Sequence, residues 1–367
     1  MREECVLISK YKEESFMFQS LSLPILLLLF LAGAVAVWLA GIQLSNTTDV
    51  ISTRFGFGQA LGGLIFLAIA TNLPEIAITA SAALAHNLGI AIGNILGGIA
   101  IQTVVLVILD AFGLRKKDAL TYRAASLQLV LEGVLVVAVL VIAIMGTQLP
   151  KSLFFARLAP GDLLIAGVWA AGVWLVNKAR TDLPWQEKGH APGTAVNPKD
   201  QVAQNKREKW STRRVITIFS IAAVVTLIAG VVLEESGSAI ADHIGLSGVL
   251  FGATFLAAAT ALPEVSTGLA SVNIGDYSLA VSDIFGGNAF LPVLFLLATL
   301  LSGQAALPQA KNSDIYLASL GILLTTVYIY GLIFRPRRQV LNMGIDSLVV
   351  LILYVIGLLG LIALAHG

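Results

Sequence analysis

Apolar runs of 18 or more residues recur along this 367-residue chain, with Lys and Arg kept to their ends and to the segments between them. As a helix, a run of that length crosses the roughly 30 Å hydrocarbon core of a bilayer. Lipid offers no partner to a backbone N–H or C=O, so each run must satisfy its own hydrogen bonds as a helix. Ten spans are predicted, at about 23–42, 56–84, 89–112, 122–146, 161–178, 215–233, 247–272, 277–301, 315–334 and 345–365. Only 12% of the residues are charged, against about a quarter in soluble domains. The expected fold is all-α: a polytopic membrane protein, integral to the plasma (inner) membrane.

The basic residues orient the spans. With the N-terminus outside, the inner segments hold Arg54, the group Arg115, Lys116, Lys117 and Arg123, the many Lys and Arg between 178 and 214, and Arg335, Arg337 and Arg338. The outer side keeps Arg2, Lys10, Lys12, Lys151, Arg157 and Lys311. This asymmetry predicts both termini outside. The segment 179–212 is polar, with Pro, Gly, Asn and Gln and no apolar period, and is expected to be a cytoplasmic loop. Cys5 is the sole cysteine, so no internal disulfide and no cysteine metal site can form.

The chain is internally duplicated. Residues 40–101 align with 229–290 without a gap at a constant offset of 189, with about a third of the positions identical. "LGGLIFLAIATNLPE" meets "LFGATFLAAATALPE", and "AIGNILGGIA" meets "AVSDIFGGNA". Each copy carries five predicted spans, and an odd number reverses the second copy in the membrane. The expected organisation is an N-terminal tail (1–20), a first repeat (21–178), the loop (179–212) and an inverted second repeat (213–367). Inverted repeats with interrupted helices at matching places mark secondary transporters, whose site lies at mid-membrane between the halves.

The interruptions are Pro74 and Pro263. A proline has no N–H, so it leaves a helix carbonyl, here that of Ala70 or Ala259, without its usual partner. Glu75 and Glu264 follow directly, each preceded at four residues by a threonine, Thr71 and Thr260. No Lys or Arg lies in the interior of any span to neutralise these acids, so each must be protonated or must hold a cation. Oxygen-only donors suit hard ions. Nineteen residues after each Glu stands a second polar residue, Asn94 and Asp283, followed by Gly97-Gly98 and Gly286-Gly287. Asn72, Gln102, Ser266, Thr267, Ser282 and Asn288 either line the cavity or bond across helices. Glu132 is either a proton carrier or a buried acid bonded to a neighbouring helix. Glu234 and Glu235, at the end of span 6, are expected to form a solvated acidic rim.

The paired "TxLPE" segments, each followed by a small-residue span with a "G/S-N/D-I-x-G-G" turn, resemble the alpha-repeats of the calcium/cation antiporter superfamily. That group includes sodium/calcium and calcium/proton exchangers. The resemblance covers essentially the whole chain. It implies a cation antiporter working by alternating access, with Glu75 and Glu264 as ion-binding glutamates and Thr71 and Thr260 as hydroxyl ligands. Backbone carbonyls near Ala68 and Ala257 complete the implied outer sites. The chain departs from the family pattern at Asn72 and Ala261, where serine is usual, and at Gly98, Gly287, Gln102 and Leu291 in the later motif. Several hydroxyls suited to sodium are therefore absent.

These readings lead to one expectation: Ca²⁺ export in exchange for Na⁺ or H⁺. A transported metal ion would meet Glu75, Glu264 and Asp283, with Asn94, Thr71 and Thr260 adjoining. No resident cofactor is expected. The partners are inorganic cations and the lipid bilayer, not nucleic acid. A monovalent cation/proton antiporter of the same fold stays open as an alternative, with a cation channel behind it. An intramembrane enzyme is disfavoured, because the spans hold no Ser/His pair and no paired aspartates at protease-like spacing.

Overall fold

The computed structural model describes residues 18–55, 68–114, 118–179, 210–246 and 248–366. The principal helices are α1 (Leu23–Phe55), α2 (Leu73–Leu84), α3 (Leu88–Ile108), α4 (Leu127–Thr147) and α5 (Pro160–Ala179) in the first part of the chain. In the second part they are α6 (Thr212–Ile244), α7 (Leu262–Ile274), α8 (Tyr277–Phe290), α9 (Asn312–Phe334) and α10 (Ile345–His366). Among the described residues, eight helices are long and apolar enough to cross a membrane, and the bent pair Gly252–Thr260 and Leu262–Asn273 is apolar enough to make a ninth if it is one broken span. The remaining expected span, 56–84, is described only from Ala68 onward, and its first half lies outside the described residues. The predicted tail and cytoplasmic loop fall largely on residues 1–17 and 180–209, which also lie outside.

Local chemistry explains the helix ends. Ser126, Ser211 and Asp276 cap α4, α6 and α8 by accepting the backbone N–H groups of Leu129, Arg214 and Leu279. Gly245 and Gly275 end α6 and α7 at φ of 70° and 88°, where a side chain would be strained. One departure from an all-helical chain is a two-stranded ribbon, β1 (Gln339–Val340) and β2 (Met343–Gly344), between α9 and α10. Leu341 and Asn342 turn it with φ of 55° and 64°.

The duplication extends to the element bounds. Adding 189 to α1 gives the bounds of α6, both helices having 33 residues. The same shift carries the short helix Ala68–Thr71 onto Ala257–Thr260, and the starts of α2 and α3 onto those of α7 and α8. Contacts are reciprocal too. α1 packs along α6; α1 also packs on α7, and α6 on α2. One apolar core joins α3, α4, α8 and α9 around Ile95, Ile99, Val136, Phe285 and Tyr328. A second, with Val37, Ile78, Ala82, Leu233 and Phe251, joins α1, α2 and α6. Leu28, Leu39, Ile228 and Leu359 face outward, an apolar exterior that suits lipid.

Candidate functional site

Each Leu-Pro-Glu triplet opens a new helix just after a break. Asn72 and Ala261, the residues at the breaks, have φ/ψ of −87°/15° and −78°/0°. This sparsely populated bridge conformation lets the chain restart with proline in the first turn, where no N–H is needed. Segments Gly252–Thr260 and Leu262–Asn273 meet at 46°. Glu75 and Glu264 thus sit in the first turn of α2 and α7, where the free N–H groups favour negative charge.

The two glutamates are brought together. Glu75 is 0% exposed and Glu264 1%. Glu264 lies within Coulombic range of both Glu75 and Asp283, and the Glu75 carboxylate also faces the Thr260 hydroxyl. Neither Glu264 oxygen accepts a hydrogen bond from another described residue. Gln102 Nε2 donates to Glu75 Oε1 at 3.4 Å and lies at the same distance from Asn72 Oδ1. In the other half, Thr267 donates to Asp283 Oδ2 at 2.8 Å. The site is lopsided: around it the first repeat places the Glu75 carboxylate with the amides of Asn72 and Gln102, the second the carboxylates of Glu264 and Asp283 with the hydroxyls of Thr260 and Thr267.

Other expected ligands are placed differently. The Ala68 carbonyl already accepts from Asn72 N (3.1 Å), Asn72 Nδ2 (2.6 Å) and Thr71 Oγ1 (3.3 Å). Its side-chain donor Asn72 Nδ2 has no counterpart at the matching residue, Ala261. The Ala257 carbonyl accepts from Ala261 N (3.0 Å) and Thr260 Oγ1 (3.2 Å). Among the described residues no three His, Cys, Asp or Glu side chains form a metal-holding cluster. The expected metal trio Glu75, Glu264 and Asp283 is thus not a closed cage, although Glu264 faces both of the others.

Asn94 is fully buried, and its amide atoms have no hydrogen-bond partner among the described residues. The position matching Thr267 in the first repeat is Ile78, which has nothing to donate. Asn288 bonds across helices, Nδ2 donating to Thr103 Oγ1 at 3.1 Å. Ser282 is buried beside Asp283. Gly287 makes room for the amides: a Cβ there would lie 2.9 Å from Asn72 Nδ2 and 3.3 Å from Gln102 Oε1. Glu132 is buried and accepts from Gln128 in its own helix at 2.6 Å.

The acidic rim expected at Glu234 and Glu235 is corrected: they are only 2% and 6% exposed. α6 runs on for a further ten residues to Ile244 and keeps both inside the packed bundle. Four buried acids were not marked by the sequence, Asp110, Asp162, Asp314 and Asp346, and the first and last of them bond to distant parts of the chain. Asp110, in the π turn Leu109–Gly113 that continues α3, accepts from Leu120 N (2.9 Å), Gly344 N (2.7 Å) and Ser347 Oγ (2.6 Å). Asp346, in the first turn of α10, accepts from Thr121 Oγ1 at 2.5 Å. Each stands at the edge of an apolar run, where a solvated acid is the default reading. Only an acid placed beside a loop that folds back over it would have signalled otherwise.

Buried acids from two duplicated halves, each on a broken helix and meeting away from solvent, define an ion-exchanging membrane transporter rather than an enzyme. The chain belongs to the sodium/calcium exchanger family: the family model described as sodium/calcium exchanger protein matches residues 25–160 and 214–363. The unmatched interval between these blocks contains the predicted loop. The inner membrane protein YrbG of Escherichia coli (strain K12) is 24% identical over 325 residues, covering 87% of this chain and 92% of that protein. The fold is similar to that of the H⁺/Ca²⁺ exchanger CAX, with a TM-score of 0.65 and 15% identity over 96% of this chain and 89% of that one. It is also similar to the sodium-calcium exchanger NCX_Mj, with a TM-score of 0.60 and 16% identity over 92% and 99% of the two chains.

Proposed function

We propose that this exchanger moves Ca²⁺ out of the cell in return for Na⁺ or H⁺, with Glu75 and Glu264 as the shared binding centre. The observation that carries the reading is the convergence of these two acids, one from each repeat, in a site without solvent contact. Two like charges that close in a low-dielectric interior repel by several kcal/mol. An empty, fully ionised site therefore resists closing, and a bound cation or protons relieve the repulsion. Loading then becomes a condition for switching between faces, which gives exchange rather than leak. Asp283, held by Thr267, and Asn94 adjoin the centre. Gln102 steadies Glu75 as an amide donor. The protein lies in the inner membrane with both termini outside, as the basic loops suggest.

The departures at Asn72, Gly98, Gly287 and Leu291 remove hydroxyl and acidic oxygens that would hold several sodium ions. They favour the proton as coupling ion. Uptake of radiolabelled calcium into proteoliposomes, with sodium and pH gradients imposed separately, tests this. A pH gradient alone should drive uptake. Calcium uptake that responds to neither gradient would remove the reading, and cation/proton exchange without calcium uptake would favour the monovalent alternative.

A further inference from the structure

The two repeats are matched around Glu75 and Glu264, but the seams leading away from them are not. α6 crosses α2 at Gly230, where an added Cβ would stand 2.7 Å from Ala77 Cβ and 3.1 Å from the Pro74 carbonyl oxygen. One turn further along α6, Glu234 meets Ser81, whose Oγ donates to Glu234 Oε2 at 2.9 Å. Both side chains are 2% exposed. The neighbouring Glu235 lies within Coulombic range of Glu234, so the bond joins α2 to an acidic stretch of α6.

The matching seam, where α1 crosses α7 at Gly41 and Pro263, lacks this bond. The positions related by the offset of 189 are Ser45 and Ala270. Alanine has no polar side-chain atom to offer, and Ala270 is exposed where Ser81 is buried. The Ser81–Glu234 bond thus has no equivalent at the matching pair, because Ala270 has no side chain that could make it. Ser81 is six residues beyond Glu75, about 9 Å along the helix axis at 1.5 Å per residue. Any path from the acids along this face of α2 passes the Ser81–Glu234 bond.

We infer that Glu234 and Ser81 form a latch that holds the α2–α6 route to the ion site shut, and that its absence from the α1–α7 seam makes the two access states unequal. This rests on the exchanger reading, and on the proposed topology the latched route is the outer one. The bond is made only while α6 lies against α2. It therefore stabilises one access state and not the other, which is the requirement for shifting a two-state equilibrium. Glu234 and Ser81 are positioning residues and need not touch the ion.

The test is thiol labelling in reconstituted protein whose own cysteine is removed by Cys5→Ser. One reporter is Ala82→Cys, beside the latch on α2; the other is Ser271→Cys, at the matching position on α7. A membrane-impermeant maleimide is supplied on both faces. Adding Glu234→Ala or Ser81→Ala should raise labelling at the α2 reporter by up to roughly tenfold and lower it at the α7 reporter, the upper range of what one buried hydrogen bond is worth. Glu234→Gln keeps an acceptor oxygen for Ser81 and should hold labelling near the starting level. Unchanged labelling in both alanine variants would overturn the latch, and so would an equal rise at both reporters. Glu234→Gln behaving like Glu234→Ala would do the same. The readout needs no ion flux. If Glu75→Gln abolishes exchange while the labelling never moves, the exchanger reading stands and the latch alone falls.

Discussion

Gly41 faces Pro263 across the α1–α7 seam so closely that a methyl group on Gly41 would lie 2.6 Å from the proline Cβ. Its repeat counterpart, Gly230, packs on the same turn of α2, where an added Cβ would lie 2.7 Å from Ala77 Cβ and 3.1 Å from the Pro74 carbonyl oxygen. Each long helix therefore crosses the broken helix of the opposite repeat at its Leu-Pro-Glu turn. This reciprocal crossing brings the two glutamates to one place.

Gly41→Ala and Gly230→Ala should each destabilise the protein by about 1–3 kcal/mol, the usual range for overpacking a tight contact. Melting in detergent, followed by tryptophan fluorescence, measures it. Gly97→Ala should cost at least as much, because its Cβ would run into the Ala253 backbone rather than a flexible side-chain end. Wild-type melting in these variants would mean the helices are not so closely apposed.

Glu75→Gln and Glu264→Gln should each abolish calcium exchange in proteoliposomes while the protein still elutes as a single folded species. The amide is nearly isosteric, so the fold survives, but it supplies half the acceptor capacity and no charge. Full exchange in either variant would remove that residue from the binding centre.

Asn72→Ser should strengthen apparent calcium affinity. It replaces the Nδ2 donor on the Ala68 carbonyl with a hydroxyl whose own oxygen can be offered to an ion. The half-saturating calcium concentration of uptake should fall. A rise, with exchange intact, would show that the amide itself assists binding.

Asp110→Ala should lower stability by about 1–3 kcal/mol or more by leaving buried donors unsatisfied. The donors are Leu120 N, Gly344 N and Ser347 Oγ. Thermal melting should fall while any exchange in the surviving folded fraction keeps its half-saturating calcium concentration. A changed half-saturation with unchanged melting would place Asp110 in transport instead.

Much of this protein follows from the sequence because lipid is a severe solvent. Apolar length decides where the helices lie, since a helix satisfies its own backbone in hydrocarbon and runs this long are too long for barrel strands. The offset of 189 then marks Glu75 and Glu264 as equivalents before any contact is known. Partners were not legible in the same way. Asn72 Nδ2 donates to the Ala68 carbonyl, Asn288 Nδ2 donates to Thr103, and Glu234 turns inward to Ser81. Asp110 and Asp346 are covered by chain that folds back from elsewhere. Spacing along a helix fixes which face a side chain occupies, but not what another helix brings opposite it. That second choice is made by close packing at Gly41, Gly230 and Gly287, so the chain alone set the two acids at matching positions, and only the tertiary structure decided which donors, carbonyls and seams surround them.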